Sequence, residues 1–203
     1  MRKRTNLPRS IALFVVLYLV AAISAAFTQQ NWEFLGFYIP FFFLFIGIII
    51  FIHKRVGFPK GLLWGLALWG ALHLAGGLIK IPTTWAYDGD QAVLYSWWLI
   101  SGWLKYDHLV HGFGFGVATW LCWEALRSNI HHRFGRKLYP SAGPIALAVL
   151  GGMGLGAINE MIEFLAVLNL ENTNVGGYHN TGWDLIANLV GCLFAGMVIF
   201  FRG

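Results

Sequence analysis

Charge is what this chain has least of. Only 11% of its 203 residues are Asp, Glu, Lys or Arg, against about 25% in soluble domains. That shortage, with 58% hydrophobic residues in long runs and a mean hydropathy of +0.63, excludes an ordinary soluble domain. There are two cysteines, Cys122 and Cys192, both in apolar segments. They fall at different depths, so they read as small buried residues rather than a disulfide. Low-complexity tracts and internal repeats are missing. So are a phosphate-cradling glycine loop, a GxSxG elbow, a CxxC pair and a CxxCH haem attachment. Acids are scarcest of all, at nine.

What is present reads as an all-α, polytopic membrane protein of one domain, with six transmembrane helices at about 10–27, 35–53, 61–80, 105–127, 141–168 and 181–201. Each is near the ~20 residues that cross a ~30 Å hydrocarbon core. The N-terminus, basic and then apolar to AAISAAF, imitates a signal peptide and reads as a retained anchor. The net charge of +5 would suggest nucleic acid in a soluble protein. Here the basic residues lie between apolar runs, so no nucleic-acid partner is expected.

Their distribution is one-sided. Arg2, Lys3, Arg4 and Arg9 precede span one. Lys54, Arg55 and Lys60 separate spans two and three. Arg127, Arg133, Arg136 and Lys137 separate four and five, in a loop that also holds His131 and His132, and Arg202 follows six. Twelve of the fourteen Lys and Arg thus share a side, leaving Lys80 and Lys105 opposite. The positive-inside rule places both termini in the cytoplasm of a bacterial inner membrane. Outside lie a short connection at 28–34, an aromatic one at 81–104 and the polar ENTNVGGYHN. Within the second, AVLYSWWLISGWL is expected to lie flat as a short interfacial helix. The last two connections together are expected to lid an outward-facing cavity. Gly61/Gly65, Gly112/Gly116, Gly152/Gly156 and Ala187/Gly191 predict close helix packing among spans three to six. Spans one and two look peripheral.

The acids that do occur are placed expensively. A carboxylate in hydrocarbon costs several kcal/mol unless it faces a protein interior with a partner. At 1.5 Å per residue, His73, His111, Glu160 and Asn188 all fall roughly 9–12 Å inside the outer ends of their spans. Asp107, His111, Gly114 and Ala118 share a helix face. So do Asp184, Asn188, Gly191 and Ala195, and so do Gly152, Gly156, Glu160 and Glu163. His108 lies about 100° off its stripe and ranks lower. Imidazoles and carboxylates at one depth suit a divalent metal such as Zn²⁺, Mn²⁺ or Fe²⁺. His73, Asp107, His111, Glu160 and Asp184 are the candidate ligands. Glu160 and Glu163 are the candidate catalytic groups, one of them a base on metal-bound water. Asn188, Asn159, His108, Tyr106 and His179 are supporting candidates, His179 from the outer connection above the cluster.

Ordinary explanations compete with this reading. Thr181 and Asp184 fit a T-x-x-D capping box. Asp107 sits in a first turn, where the helix dipole favours a negative charge. His73 alone on an apolar helix is commonly structural. Glu124 can reach towards Arg127. Glu160, deep in mid-helix, has no such explanation.

The runs YDHLVH, NEMIEF and DLIANLVG resemble the YjdF-like family of bacterial inner-membrane proteins, and more distantly the VanZ-like family, over roughly residues 60–200. By position the matches are Tyr106, Asp107, His111, Glu160, Glu163, Asp184, Asn188 and Gly191. VanZ-like proteins commonly carry Glu-x-x-Gln and an Arg before the final Asp. Here Glu163 replaces the Gln, and NVGGYHNTGWD has no Arg. The distant resemblance implies a link with glycopeptide tolerance at the envelope, and the nearer one implies no activity. Three readings follow: a metal-dependent enzyme on a lipid or envelope substrate, a non-catalytic transporter or envelope-binding protein with a hydrogen-bonded polar core, and an accessory subunit of a larger membrane complex, its histidines ligating pigment or haem. Membrane lipid is an expected partner, and a homo-oligomer an expected state.

Overall fold

A computed structural model describes residues 6–170, 173 and 175–202. Arg2, Lys3 and Arg4 among the topology signals, and Glu171, Asn172 and Asn174 of the third outer connection, lie outside the described residues. The described chain forms α1 (Arg9–Thr28), α2 (Ile39–Val56), α3 (Lys60–Leu78), α4 (Tyr106–Phe134), α5 (Ala142–Asn169) and α6 (Tyr178–Arg202). Between α3 and α4 lie two short strands, β1 (Trp98–Ile100) and β2 (Leu104–Lys105). A π-helical turn, Phe34–Tyr38, precedes α2 and extends its apolar rod to 23 residues.

Five of these helices, all but α4, are long and apolar enough to cross a membrane. The chain is therefore a membrane protein with several membrane-spanning helices. α4 is the longest at 29 residues and falls short by composition, because histidines, glycines, tryptophans and Glu124 interrupt its apolar residues. It is also the helix against which α3, α5 and α6 all pack.

Long-range hydrogen bonds tie like ends together. Gln29 Nε2 donates to the Leu78 carbonyl and Tyr106 Oη to the Leu72 carbonyl, each at 3.0 Å. At the opposite end Ser128 Oγ donates to the Val56 carbonyl at 3.4 Å, which brings the basic ends of α2 and α4 together.

Glycine sets the α4–α6 spacing. A Cβ on Gly191 would fall on the Gly112 carbonyl oxygen, and one on Gly116 would stand 3.0 Å from the Gly191 carbonyl. The helices meet backbone to backbone, as small residues permit in lipid. Gly152 packs on Thr119 and Cys192, and Gly156 on Asn188.

Four expectations are corrected. The only helical part of AVLYSWWLISGWL is a single 3₁₀ turn, Leu94–Ser96; after it β1 and β2 pair antiparallel across a turn at Ser101–Gly102, with Gly102 at φ +74. Aromatic and β-branched residues favour that pleated state, and glycine the positive φ. α4 runs on to Gly135, so His131 and His132 lie on the helix and not in a loop. α6 starts at Tyr178, so Thr181 and Asp184 are interior and form no capping box. Cys122 and Cys192 are free, yet they face the neighbouring glycines Gly151 and Gly152 of α5 and so share a level. α1 and α2 pack on the core cluster with Leu74 and Leu78, and the chain just before α2 reaches the polar site.

Candidate functional site

His111 is the hub of the cluster. It is 3% exposed and carried on the face of α4 that meets α5 and α6. Its Nδ1 lies 3.2 Å from Asn188 Oδ1 on α6 and 3.5 Å from Glu160 Oε1 on α5. Its Nε2 lies 3.5 Å from Asp107 Oδ1, one turn earlier on α4, and 3.9 Å from Glu163 Oε1. Two ligand-type triads share this imidazole: Asp107–His111–Asp184 and His111–Glu160–Glu163. In each, one atom per residue lies within 4.8 Å of the others. The i, i+3 and i, i+4 spacings on three helices produce this convergence, since such pairs share a helix face.

The hydrogen bonds around the hub are incomplete. Asn159 Nδ2 donates to Glu163 Oε1 at 2.7 Å, and Asn180 Nδ2 to Asp184 Oδ2 at 2.5 Å. Asn180 also reaches Asp107 at 3.4 Å and receives Lys105 Nζ. Both carboxylate oxygens of Glu160 and Oδ1 of Asp184 are buried without a well-formed hydrogen bond among the described residues, Glu160 Oε1 lying 3.5 Å from His111 Nδ1. Glu160 is 8% exposed and Asp184 0%. Leaving a buried polar atom unsatisfied costs about 1–3 kcal/mol, and more when it is charged.

The Asn188 contact adds a constraint. In the tautomer that carries its proton on Nδ1, His111 donates to the Asn188 amide oxygen. A neutral ring then turns its Nε2 lone pair towards Asp107 and Glu163. Lone pair and carboxylates repel unless a proton or a cation stands between them.

A cavity of about 30 Å³ adjoins the site. Asp107, Glu163, Glu33, Tyr38, His73 and Tyr95 are among its lining, with Val175, Gly176 and Asn180 from the third outer connection and the start of α6. Its size suits a single water. The aromatic connection and the one before α6 thus both contribute to its walls. Burial pushes the Tyr95 phenol well above its usual range, and the nearby Asp107 and Glu163 carboxylates add to the effect. Tyr95 therefore stays a neutral hydroxyl facing this space.

The structure sorts the remaining candidates. Asp107, His111, Glu160, Glu163, Asp184, Asn188 and Asn159 come together. His73 does not join a ligand triad: the rings of Phe42, Tyr95, Trp69 and Tyr38 stand 5.3–6.4 Å from it, so it meets the cluster only across the small cavity. Tyr106 ties α4 to α3 through its hydroxyl. His108 turns away; its Nδ1 accepts the Lys105 backbone N–H at 3.3 Å and its ring stacks on Trp183. His179 is exposed, its ring 6.5 Å from that of Trp183. Glu124 pairs with Arg127 at 2.8 Å, far from the site.

Sequence reasoning missed Glu33, Tyr38, Tyr95 and Lys105, and it put Asn180 on a loop above the cluster rather than in its hydrogen-bond network. Asn180 carried a signal, since Asn180, Asp184 and Asn188 repeat at four-residue steps. Lys105 carried another, as one of two cations on the acid-rich side. It is 6% exposed, with Asp88 at 3.7 Å and Trp98 beneath it at 5.7 Å. Glu33 had no periodic signal, because it precedes a π-turn.

Residues 7–203 match one family, described as "Predicted membrane protein (DUF2238)". The chain belongs to that family. No curated protein and no solved structure matches it. The DUF2238 assignment carries no activity with it, so what this DUF2238 chain does rests on its own residues.

Proposed function

We propose that the cluster around His111 is a divalent-cation centre, and that the chain is a metal-dependent hydrolase acting on a lipid or envelope molecule. The observation that carries this reading is the set of buried carboxylate oxygens without well-formed hydrogen bonds, on Glu160 and Asp184, around an imidazole nitrogen that already faces two further carboxylates. Four acids, Asp107, Glu160, Glu163 and Asp184, converge on this region with Lys105, His111 and, across the small cavity, His73 as the basic groups. A cation supplies the missing positive charge. The spacing is near that of an ion's ligands: about 2.1 Å from the ion, they stand about 3.4 Å apart in a tetrahedral site and about 3.0 Å in an octahedral one, and His111 Nε2 and Asp107 Oδ1 are 3.5 Å apart. In this reading Asp107, His111 and Asp184 hold the ion, with Glu160 completing its surroundings. Asn188 orients the imidazole through its other nitrogen, as second partners of metal-bound histidines do. A set this rich in oxygen favours Mn²⁺ or Fe²⁺ over Zn²⁺. The ion would acidify the single water of the adjoining cavity, and Glu163, held by Asn159, would accept its proton.

The setting we infer is a bacterial inner membrane crossed six times, α4 included, with both termini cytoplasmic and the site in the outer half. The one-sided basic residues support that orientation. The resemblance of the runs YDHLVH, NEMIEF and DLIANLVG supports reading the chain, within its family, as YjdF-like rather than VanZ-like. A second reading, a metal-free polar core, is favoured by the amide donors of Asn159 and Asn180 on Glu163 and Asp184.

Elemental analysis of protein purified without chelator separates the two. The metal reading expects close to one Mn, Fe or Zn per chain, and less than a tenth of that in Glu160→Gln. A wild-type protein empty of all three after growth in metal-supplemented medium would decide for the polar core.

A further inference from the structure

The other side of α4 carries a feature that the cation site does not use. A groove of about 1500 Å³ runs along it, with α3 and α6 as walls. From His108 to His132 it follows 25 residues of α4, 24 steps or about 36 Å at 1.5 Å per residue. Its volume exceeds the ~300–1,000 Å³ of small-molecule pockets. The walls are glycine-flattened and apolar, with Gly61, Gly65, Gly116, Trp120, Phe194 and Val198 among them. One end is different. Arg127, His131, His132, Lys137 and Arg202 converge there from α4, the following connection and the end of α6. Glu124, the acid at that end, is taken by Arg127 at 2.8 Å. Among the described residues no carboxylate pairs with Lys137 or Arg202.

A long apolar trough closed by uncompensated positive charge matches one chemistry, an anionic head on hydrocarbon tails. We infer that the groove is a binding site for an anionic phospholipid, its phosphate held by Lys137, Arg202 and the His131–His132 pair, its acyl chains lying along α4 between Trp120 and Phe194. The position fits, because basic pockets between helices at the cytoplasmic face bind such headgroups. The polarity fits as well, since an uncharged lipid would leave these cations unanswered at the edge of hydrocarbon.

Delipidated full-length protein in detergent is titrated with phosphatidylglycerol or phosphatidylcholine, and bound lipid is counted by native mass spectrometry. At about fivefold per Lys or Arg near the headgroup, phosphatidylglycerol should bind roughly 25-fold tighter than phosphatidylcholine. Lys137→Gln/Arg202→Gln should abolish that preference, and Lys137→Arg/Arg202→Lys should keep it. Arg133→Gln/Arg136→Gln, which removes two cations outside the groove, should also keep it. Equal affinity for the two lipids, or equal loss in both Gln pairs, overturns the proposal. So does a lipid-free dimer that survives in detergent and is broken by Val198→Trp, since a second copy would then fill the groove.

Discussion

Asp184→Asn should act in opposite directions in the empty and the loaded protein. Asp184 is fully buried, its Oδ2 accepts from Asn180 at 2.5 Å, and its Oδ1 has no donor among the described residues. In the empty protein the carboxylate therefore carries an uncompensated desolvation cost, about 1–3 kcal/mol by analogy with other unsatisfied buried groups. Asparagine keeps the shape and the acceptor for Asn180, and it puts an amide N–H in place of the donorless Oδ1, beside the acidic neighbour Asp107. The variant should be more stable than wild type in chelator. With a cation the order reverses. A ligand present at 100 times its Kd stabilises by ~2.7 kcal/mol, which for a chain of 150–250 residues is a rise of roughly 5–10 °C in Tm at 2–4 °C per kcal/mol. Even partners behind the direct ligands cost 10–100-fold in metal affinity when removed, so loss of a direct carboxylate ligand should erase that rise. The assay is thermal unfolding in detergent, followed by tryptophan fluorescence, with EDTA and with Mn²⁺ titrated in. The reasoning fails if Asp184→Asn melts below wild type in EDTA while neither protein responds to Mn²⁺, Fe²⁺ or Zn²⁺. Asp184 would then be a hydrogen-bonded structural acid.

Gly191→Ala should destabilise the fold, because its Cβ has only the Gly112 carbonyl to occupy. Overpacking of this kind costs about 1–3 kcal/mol, whereas Gly154→Ala, with nothing within 4 Å, should leave Tm equal or higher in the same assay. Tyr95 predicts an alkaline limit. The folded protein holds the phenolic proton above the unfolded value of about 10, so between those values the folded state binds more protons than the unfolded one. Stability from this group is unaffected below pH 10 and falls as pH rises past it. Tyr95→Phe should show a shallower loss of Tm between pH 10 and 11, and an unchanged slope would rule Tyr95 out as a contributor.

Much of the site was legible because helices convert spacing into direction. Asp107 and His111 at i, i+4 and Glu160 and Glu163 at i, i+3 had to share faces, and glycine on the same stripes showed that those faces met other helices. The 100° offset of His108 likewise turned it to the groove, where it stacks on Trp183. Reading failed where direction depends on a boundary. GGYHNTGWD has the composition of a turn, yet α6 begins at Tyr178, with the Gly177 carbonyl accepting the Asn180 and Thr181 amides at 2.8 and 3.2 Å. Those three extra residues bring Asn180 into the network and make Asp184 a buried interior acid rather than a cap. His73 failed differently. Its depth was right, but the rings around it come from α2, α3 and the aromatic connection, and no local spacing encodes that enclosure.

The composition of α4 follows from its position. A helix that only faces lipid needs apolar residues all round, as α1 and α2 have. α4 touches no uniform solvent. One face supplies Asp107 and His111 to the buried polar cluster, another gives up side chains at Gly112 and Gly116 so that α6 can approach, and a third lines the groove down to Arg127 and His131. Each demand replaces an apolar residue with a polar or a very small one, and together they carry the helix below the hydropathy of its neighbours. Glycine is also poor at holding a helix, by about 1 kcal/mol each relative to alanine. Around Gly112, Gly114 and Gly116, α4 therefore relies on its packing partners for order. It follows that the two sites share a scaffold: whatever fills the groove braces the backbone of α4 one face away from His111.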